Sequence, residues 1–247
     1  MMSYQQYQVD EASALSASAM AIHAGESERT GFIRRTYTHL AGAVGLFVLI
    51  EMAVFTLLPE ATLAKTVGAM TRGYMWLVVL GAFMVVSMVA NSWAANAKSA
   101  GMQYAGLALY IVVEAVIFVP LLYMARRFGD PGTIGSAGLI TTVVFAGLTM
   151  ITFVTRADFG WMGRVLMLLA LAFMGAIICG MVFGFHLGTA FSCLGIALAG
   201  GYILYYTSEI MHRFRTDQHV VAALCLFAAV ALLFWYVLRL IMALQRD

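Results

Sequence analysis

Residues 40–58 read LAGAVGLFVLIEMAVFTLL, and residues 104–123 read YAGLALYIVVEAVIFVPLLY. Each run approaches the ~20 residues that an α-helix needs to cross a ~30 Å hydrocarbon core. One acid interrupts each, Glu51 in the first and Glu114 in the second. An isolated carboxylate in hydrocarbon is costly, and such residues mark functional sites in membrane proteins. These two stretches set the fold class and the place to look for chemistry.

The whole chain agrees with them. Of its 247 residues 63% are hydrophobic and only 11% are charged, where a globular domain carries about 25% charged residues. So few charges cannot cover a water-facing surface. The chain is an all-α integral membrane protein. Its net charge of +2 comes from scattered cations at the ends of apolar runs, not from a dense basic patch, which excludes a nucleic-acid partner. Cys179, Cys193 and Cys225 are an odd, unmotifed set within apolar segments, so they read as small packing residues without a disulfide or zinc role.

Seven hydrophobic stretches follow one another at 39–58, 75–96, 102–125, 133–155, 161–184, 187–210 and 218–244. Residues 37–247 thus form one seven-helix membrane domain with short loops. Residues 1–36 read as a polar tail, rich in Ser, Ala and Gln, that is disordered or only partly helical. The first 28 residues carry Asp10, Glu11, Glu26 and Glu28 and lack the apolar core of a signal peptide, so targeting is expected to rest on the first membrane helix. With a cytoplasmic N-terminus, that side holds Arg29, Arg34, Arg35, Lys98, Arg156, Arg164, Arg213 and Arg215. The other side holds Lys65, Arg72, Arg126, Arg127, Arg239 and Arg246. The positive-inside bias favours N-terminus in and C-terminus out.

Gly180, Gly184 and Gly188 recur every fourth residue, a small-residue row expected to serve helix packing. Gly129, Gly132, Gly135 and Gly138 recur every third residue and predict a turn followed by a close-packed helix start. Pro120 lies six residues after Glu114; its missing N–H and its ring predict a kink beside the acid.

Counted from the cytoplasmic edge, Glu51 and Glu114 each lie about 18 Å deep. Equal depth would let the two carboxyls approach one another, and no Lys, Arg or His is placed there by counting. Two outcomes follow. The acids stay protonated as neutral hydrogen-bond donors, or they share a proton or a cation and act as a switch. Glu209, followed by His212, Arg213 and Arg215, reads as a partner in a solvated interfacial salt bridge and as a secondary site candidate.

Enzymatic and cofactor chemistries find no support. Lys65 and Lys98 are the only lysines and neither sits in the last helix, where a retinal Schiff base would need one. No Asp falls inside a helix, and the histidines sit at helix ends, which disfavours intramembrane proteases and a transmembrane haem. The chain is expected to be neither an enzyme nor a cofactor carrier.

The lead-in Phe32-Ile33-Arg34-Arg35-Thr36-Tyr37, the helix-six ending GGYILYYTSEIMHRF at 200–214 and the last helix AALCLFAAVALLFWYVLRLI at 222–241 resemble the Bax-inhibitor/YccA-like family of seven-transmembrane (TMBIM-like) proteins. The resemblance implies a compact bundle in which six helices surround the last. Some members resemble pH-sensitive calcium-leak channels with two aspartates sharing a proton. The bacterial YccA-like branch instead resembles a substrate and modulator of a membrane-bound AAA protease, engaged through the cytoplasmic tail. Aligned on these motifs, Tyr206 stands at the first aspartate and Ala229 at the second, so the leak chemistry does not transfer through those residues. The resemblance places the chain in a bacterial inner membrane, among lipid. Two readings remain: a calcium or proton leak whose acidity comes from Glu51 and Glu114, or a non-conducting modulator of the protease acting through residues 1–36. A permease would call for inverted repeats or paired broken helices, and neither is visible.

Overall fold

The computed structural model describes residues 25–96, 99–184 and 188–245. Within them the chain forms eight α-helices and no strand. These are α1 (Glu26–Leu57), α2 (Glu60–Thr71), α3 (Met75–Ala94), α4 (Ala100–Phe128), α5 (Thr133–Thr155), α6 (Met162–Phe183), α7 (Thr189–His212) and α8 (His219–Leu244). All except α2 are long and apolar enough to cross a membrane. The seven expected spans are all present.

Two boundaries differ from the sequence reading. α1 starts at Glu26, so residues 26–36, expected in the tail, form its first three turns. Residues 1–24, Lys98, His186 and Arg246 lie outside the described residues. The loop before α3 also contains α2, whose 12 residues are too few to span the bilayer. It starts behind Pro59 and buries Leu63 and Val67, one turn apart, against Val54, Phe55, Val119 and Tyr123.

α8 and α4 form the interior. In their most apolar stretches, 67% of α8 and 61% of α4 is buried in the protein, against 6% for α3 and 11% for α6. A helix that is apolar all round suits such a position, and α8, HVVAALCLFAAVALLFWYVLRLIMAL, carries only His219 and Arg239 as charged or titratable groups apart from Cys225 and Tyr236. α1, α3, α4, α5 and α7 pack directly on it. α6 leans on α7 and touches α8 edge-on through Phe173 and Tyr236, whose ring centres are 5.7 Å apart.

Lipid tails are as apolar as leucine, so burial alone does not drive these helices together; close packing does. A Cβ on Gly106 of α4 would stand 2.5 Å from both the Ala90 carbonyl oxygen and the Ala94 nitrogen of α3. A Cβ on Gly195 of α7 would stand 2.4 Å from the Tyr236 ring of α8. Backbone approaches ring or backbone at both points because no side chain intervenes. Phe118 supplies a third junction, meeting Phe47 at 5.1 Å, Phe234 at 5.7 Å and Trp235 at 5.0 Å between ring centres.

The glycine rows seen in the sequence do only part of this work. Gly184 ends α6 at φ +74° and Gly188 is the residue before α7; a Cβ on either would meet nothing within 4 Å. Gly180, inside α6, is buried as a packing residue would be, whereas Gly184 stops one helix and Gly188 starts the next. Gly129 and Gly132 bound the expected turn, with Gly132 at φ +90°. Gly135 and Gly138 face open space; the start of α5 is packed on its other face, through Thr133 and Ala137.

A Gly106→Ala substitution is expected to force α3 away from α4 and cost about 1–3 kcal/mol. Gly135→Ala, placed in open space, should be neutral or slightly stabilising. Thermal unfolding of both variants in detergent checks the contrast.

Candidate functional site

Glu51 points from α1 into a cavity of about 240 Å³ walled by Phe47, Phe55, Leu122 and Phe234. It is 6% exposed, and neither carboxyl oxygen has a hydrogen-bond partner among the described residues. Arg126 of α4 lines the same cavity. Its Nη1 donates to the Phe55 carbonyl at 3.2 Å, and the guanidinium lies 5.9 Å from the centre of the Phe55 ring. The acid and the cation thus share one small chamber, with Phe55 holding the arginine.

Glu114 occupies a comparable position on the other side of the bundle. It too is 6% exposed, at the wall of a cavity of about 440 Å³ between α3, α4, α6 and α8. Trp76, Phe83, Met174 and Trp235 make the cavity apolar, and Arg239 lines it. The Tyr110 hydroxyl is the polar neighbour of Glu114, one turn back on α4; Oε2 has no hydrogen-bond partner among the described residues. A larger cavity, about 780 Å³, shares Trp76, Met181, Trp235 and Arg239 with the first and extends to Thr71, Gly188 and Met242. Pro120, expected to kink α4, lies inside the helix and lines this larger cavity.

The two acids do not meet. Phe118 stands between their chambers, lining that of Glu114 while packing on Phe47 and Phe234 of the other. They also differ in depth. Phe47, one turn before Glu51, touches Phe227 and Phe118, and Phe227 touches Tyr110, which places Phe47 near the level of Glu114. Glu51 therefore lies about one turn, ~6 Å, farther toward the Leu57 end. A proton or cation held between both carboxyls has no geometric basis. Among the described residues no three His, Cys, Asp or Glu side chains converge as metal ligands.

Sequence counting missed the two arginines. Measured by their Cα positions, Arg126 and Arg239 belong to the far rim. α4 and α8 run in the same direction, however, and side chains on a helix tilt toward its N-terminus. Both side chains consequently line the chambers of the acids, Arg239 half-buried and Arg126 exposed.

Glu209 sits elsewhere, at the opposite end of the bundle. Arg213 bridges its carboxylate and that of Asp158, the latter at 2.8 Å. Ser208 ties the same loop down: its Oγ accepts from the Phe159 amide at 2.9 Å and donates to the Ala157 carbonyl at 3.3 Å. The Gly160 amide, followed by Arg213, holds the Asp158 carboxyl below its usual range. This exposed cluster fastens the α5–α6 loop to the end of α7.

The sequence matches the family described as Bax1-I, inhibitor of apoptosis-promoting Bax1, over residues 29–247. The chain belongs to the Bax inhibitor family. It is similar to Protein LIFEGUARD 3 of Arabidopsis thaliana, 28% identical over 231 residues that cover 92% of this chain and 90% of the relative. Bax inhibitor 1 of Schizosaccharomyces pombe is 26% identical over 227 residues, 90% of this chain and 80% of the relative. An uncharacterized protein of Neisseria meningitidis is 28% identical over 139 residues, 53% of this chain and 59% of the relative.

In this Bax inhibitor family member, Tyr206 and Ala229, aligned above with the two aspartates by resemblance, have apolar and aromatic surroundings. Tyr206 stacks on Tyr202, with ring centres 5.8 Å apart, and leans on Tyr205 at 5.1 Å. Ala229 is buried in the core. The Cys225 thiol, one turn before Ala229, lies within electrostatic range of the Tyr110 and Tyr206 hydroxyls. Two carboxyls border this region: Glu209, one turn after Tyr206 on α7, and Glu114, next to Tyr110.

Glu51→Leu removes a buried, unpartnered carboxyl and is expected to raise stability by about 1–3 kcal/mol, read as a higher unfolding midpoint in detergent. Asp158→Asn tests the loop cluster. Because the folded-state carboxyl is depressed, its stabilisation is present above the ordinary carboxylate pKa and is lost as the pH falls through and below about 4. The unfolding midpoints of wild type and Asp158→Asn should differ near neutral pH and converge in acid.

Proposed function

We propose that this Bax inhibitor family protein is a pH-sensitive leak pathway for protons or calcium, with Glu114 as its acidic group. One observation supports this reading most. Glu114, buried and with one carboxyl oxygen unpartnered among the described residues, lines the first of two adjoining cavities that reach the Thr71–Gly188 end of the bundle. An intramembrane acid on a cavity wall is the usual arrangement of a proton or ion path. In the N-in orientation that path opens to the outside of a bacterial cell membrane. Protonation of Glu114 would set its affinity for a cation, and Tyr110 would hand the proton on.

A second reading is favoured by what lies beyond Glu114. Tyr110, Phe47 and Phe227 pack ring against ring there, and Tyr206 and Ala229 stand where the family resemblance puts the aspartates. A plug of aromatic rings of this kind suits a non-conducting modulator of a membrane-bound AAA protease, acting through the residues that precede α1.

Calcium and proton flux into liposomes holding the purified protein, measured from about pH 5 to 8, separates the two. The leak reading expects a pH-dependent flux that Glu114→Gln lowers on the order of tenfold or more, with Glu51→Gln acting separately and more weakly. No flux at any pH from folded protein sinks it. The protease reading then expects deletion of residues 1–24 to change the turnover of other membrane proteins in cells, and it fails if turnover is unchanged.

A further inference from the structure

At the end of the bundle opposite the Thr71–Gly188 cavity, α1, α4 and α8 meet through three rings. His39 of α1 lies 5.0 Å, centre to centre, from His219, the first residue of α8, and 5.5 Å from Tyr104 of α4. The pair belongs neither to the leak pathway nor to the Arg213 cluster. His212 of α7, at the same end, turns to Ser208 instead, its Nδ1 2.9 Å from the Ser208 carbonyl oxygen.

The contacts of His39 fix its neutral form. Its Nδ1 lies 2.6 Å from the Arg35 carbonyl oxygen, which can only accept, so Nδ1 carries the proton. Nε2 is then the bare nitrogen and accepts from the Tyr104 hydroxyl at 3.1 Å. A proton added at Nε2 leaves both contacts intact, because a hydroxyl oxygen also accepts. His39 can therefore gain charge in place. Its surroundings oppose that charge. Arg35 stands one turn before it on α1, and the positive end of the α8 dipole lies at His219. His219 is half-buried, and its Nδ1 is enclosed with no hydrogen-bond partner among the described residues. Protonated, it would add a second cation and bury an N–H that has no acceptor. Asp217 is the acid that faces the pair, and Arg215 engages its carboxylate at 3.2 Å.

Imidazoles change charge between about pH 5 and 8. We propose that His39 and His219 form an acid-operated release between α1 and α8. Near neutral pH the rings pack and hold α1 in the bundle. In acid their charges, with that of Arg35, push it off the start of α8. What is released is the first part of α1, docked by Phe32 and Thr36, both fully buried, and with it the chain that precedes the helix. The inference goes beyond the leak reading, because it needs neither Glu114 nor conduction.

The test is hydrogen exchange on the full-length protein in detergent, with protection factors for residues 26–39 corrected for the intrinsic pH dependence of exchange. Between about pH 7.5 and 5.5 the wild type should lose on the order of tenfold protection there, while the interior of α4 keeps its own. His39→Phe and His219→Phe keep a ring without the charge, and each should remove most of the loss. Asp217→Asn takes away the facing acid and should start the loss at higher pH. Equal protection of the wild type at both pH values overturns the proposal. So does a loss that persists in both phenylalanine variants, since His212 or the Asp158 cluster would then be its source.

Discussion

An apolar helix gains nothing by leaving lipid for protein unless the protein fits it better than lipid does. α8 is such a helix, and everything in this bundle is arranged to fit it. The fit depends on Tyr236 seated against the bare backbone at Gly195 and on the Phe118 ring wedged among Phe47, Phe234 and Trp235. Aromatic pairs of this geometry contribute about 0.5–1.5 kcal/mol each beyond their area. The same rings then decide the chemistry. By filling the centre beside α8, Phe118 divides the space around it into two chambers and gives each its own acid.

Each chamber has the same composition: a buried carboxyl, aromatic walls and an arginine from the rim. Arg126 lines the first with Glu51, and Arg239 lines the second with Glu114. The volume beside Glu114 is the larger, and it adjoins a further cavity at the end of the bundle. Glu51 shares its smaller chamber with a cation held on Phe55.

Much of this was legible in the chain. The seven spans, the membrane class and the burial of both acids follow from apolar runs long enough to cross a bilayer and from the two glutamates inside them. α2 was not read, because its signal is only Pro59 and the Leu63–Val67 pair within a loop. Packing glycines were only partly found: in the rows at 180–188 and 129–138, conspicuous by spacing, Gly184, Gly188, Gly135 and Gly138 meet nothing, whereas Gly106 and Gly195 are isolated in sequence and matter through what they face. Depth counting placed Glu51 and Glu114 level with one another because it treats helices as parallel rulers, and it kept the arginines at the rim because it counts Cα positions. Neither the wedge at Phe118 nor the place of Arg126 and Arg239 on the chamber walls is a property of any single helix.

α1 runs unbroken through 32 residues, from Glu26 to Leu57, a rod of about 48 Å. The hydrocarbon core needs only ~30 Å of it. Glu51 rides near one end of this rod, and residues 1–24 are tethered to the other. A partner that seized those residues would hold a stiff handle: a pull or a twist there would pass along the helix axis, undamped by any hinge, to the chamber that Glu51 and Arg126 share. The helix is thus stiff enough, and long enough, to link a grip on the chain outside the membrane to a carboxyl buried within it.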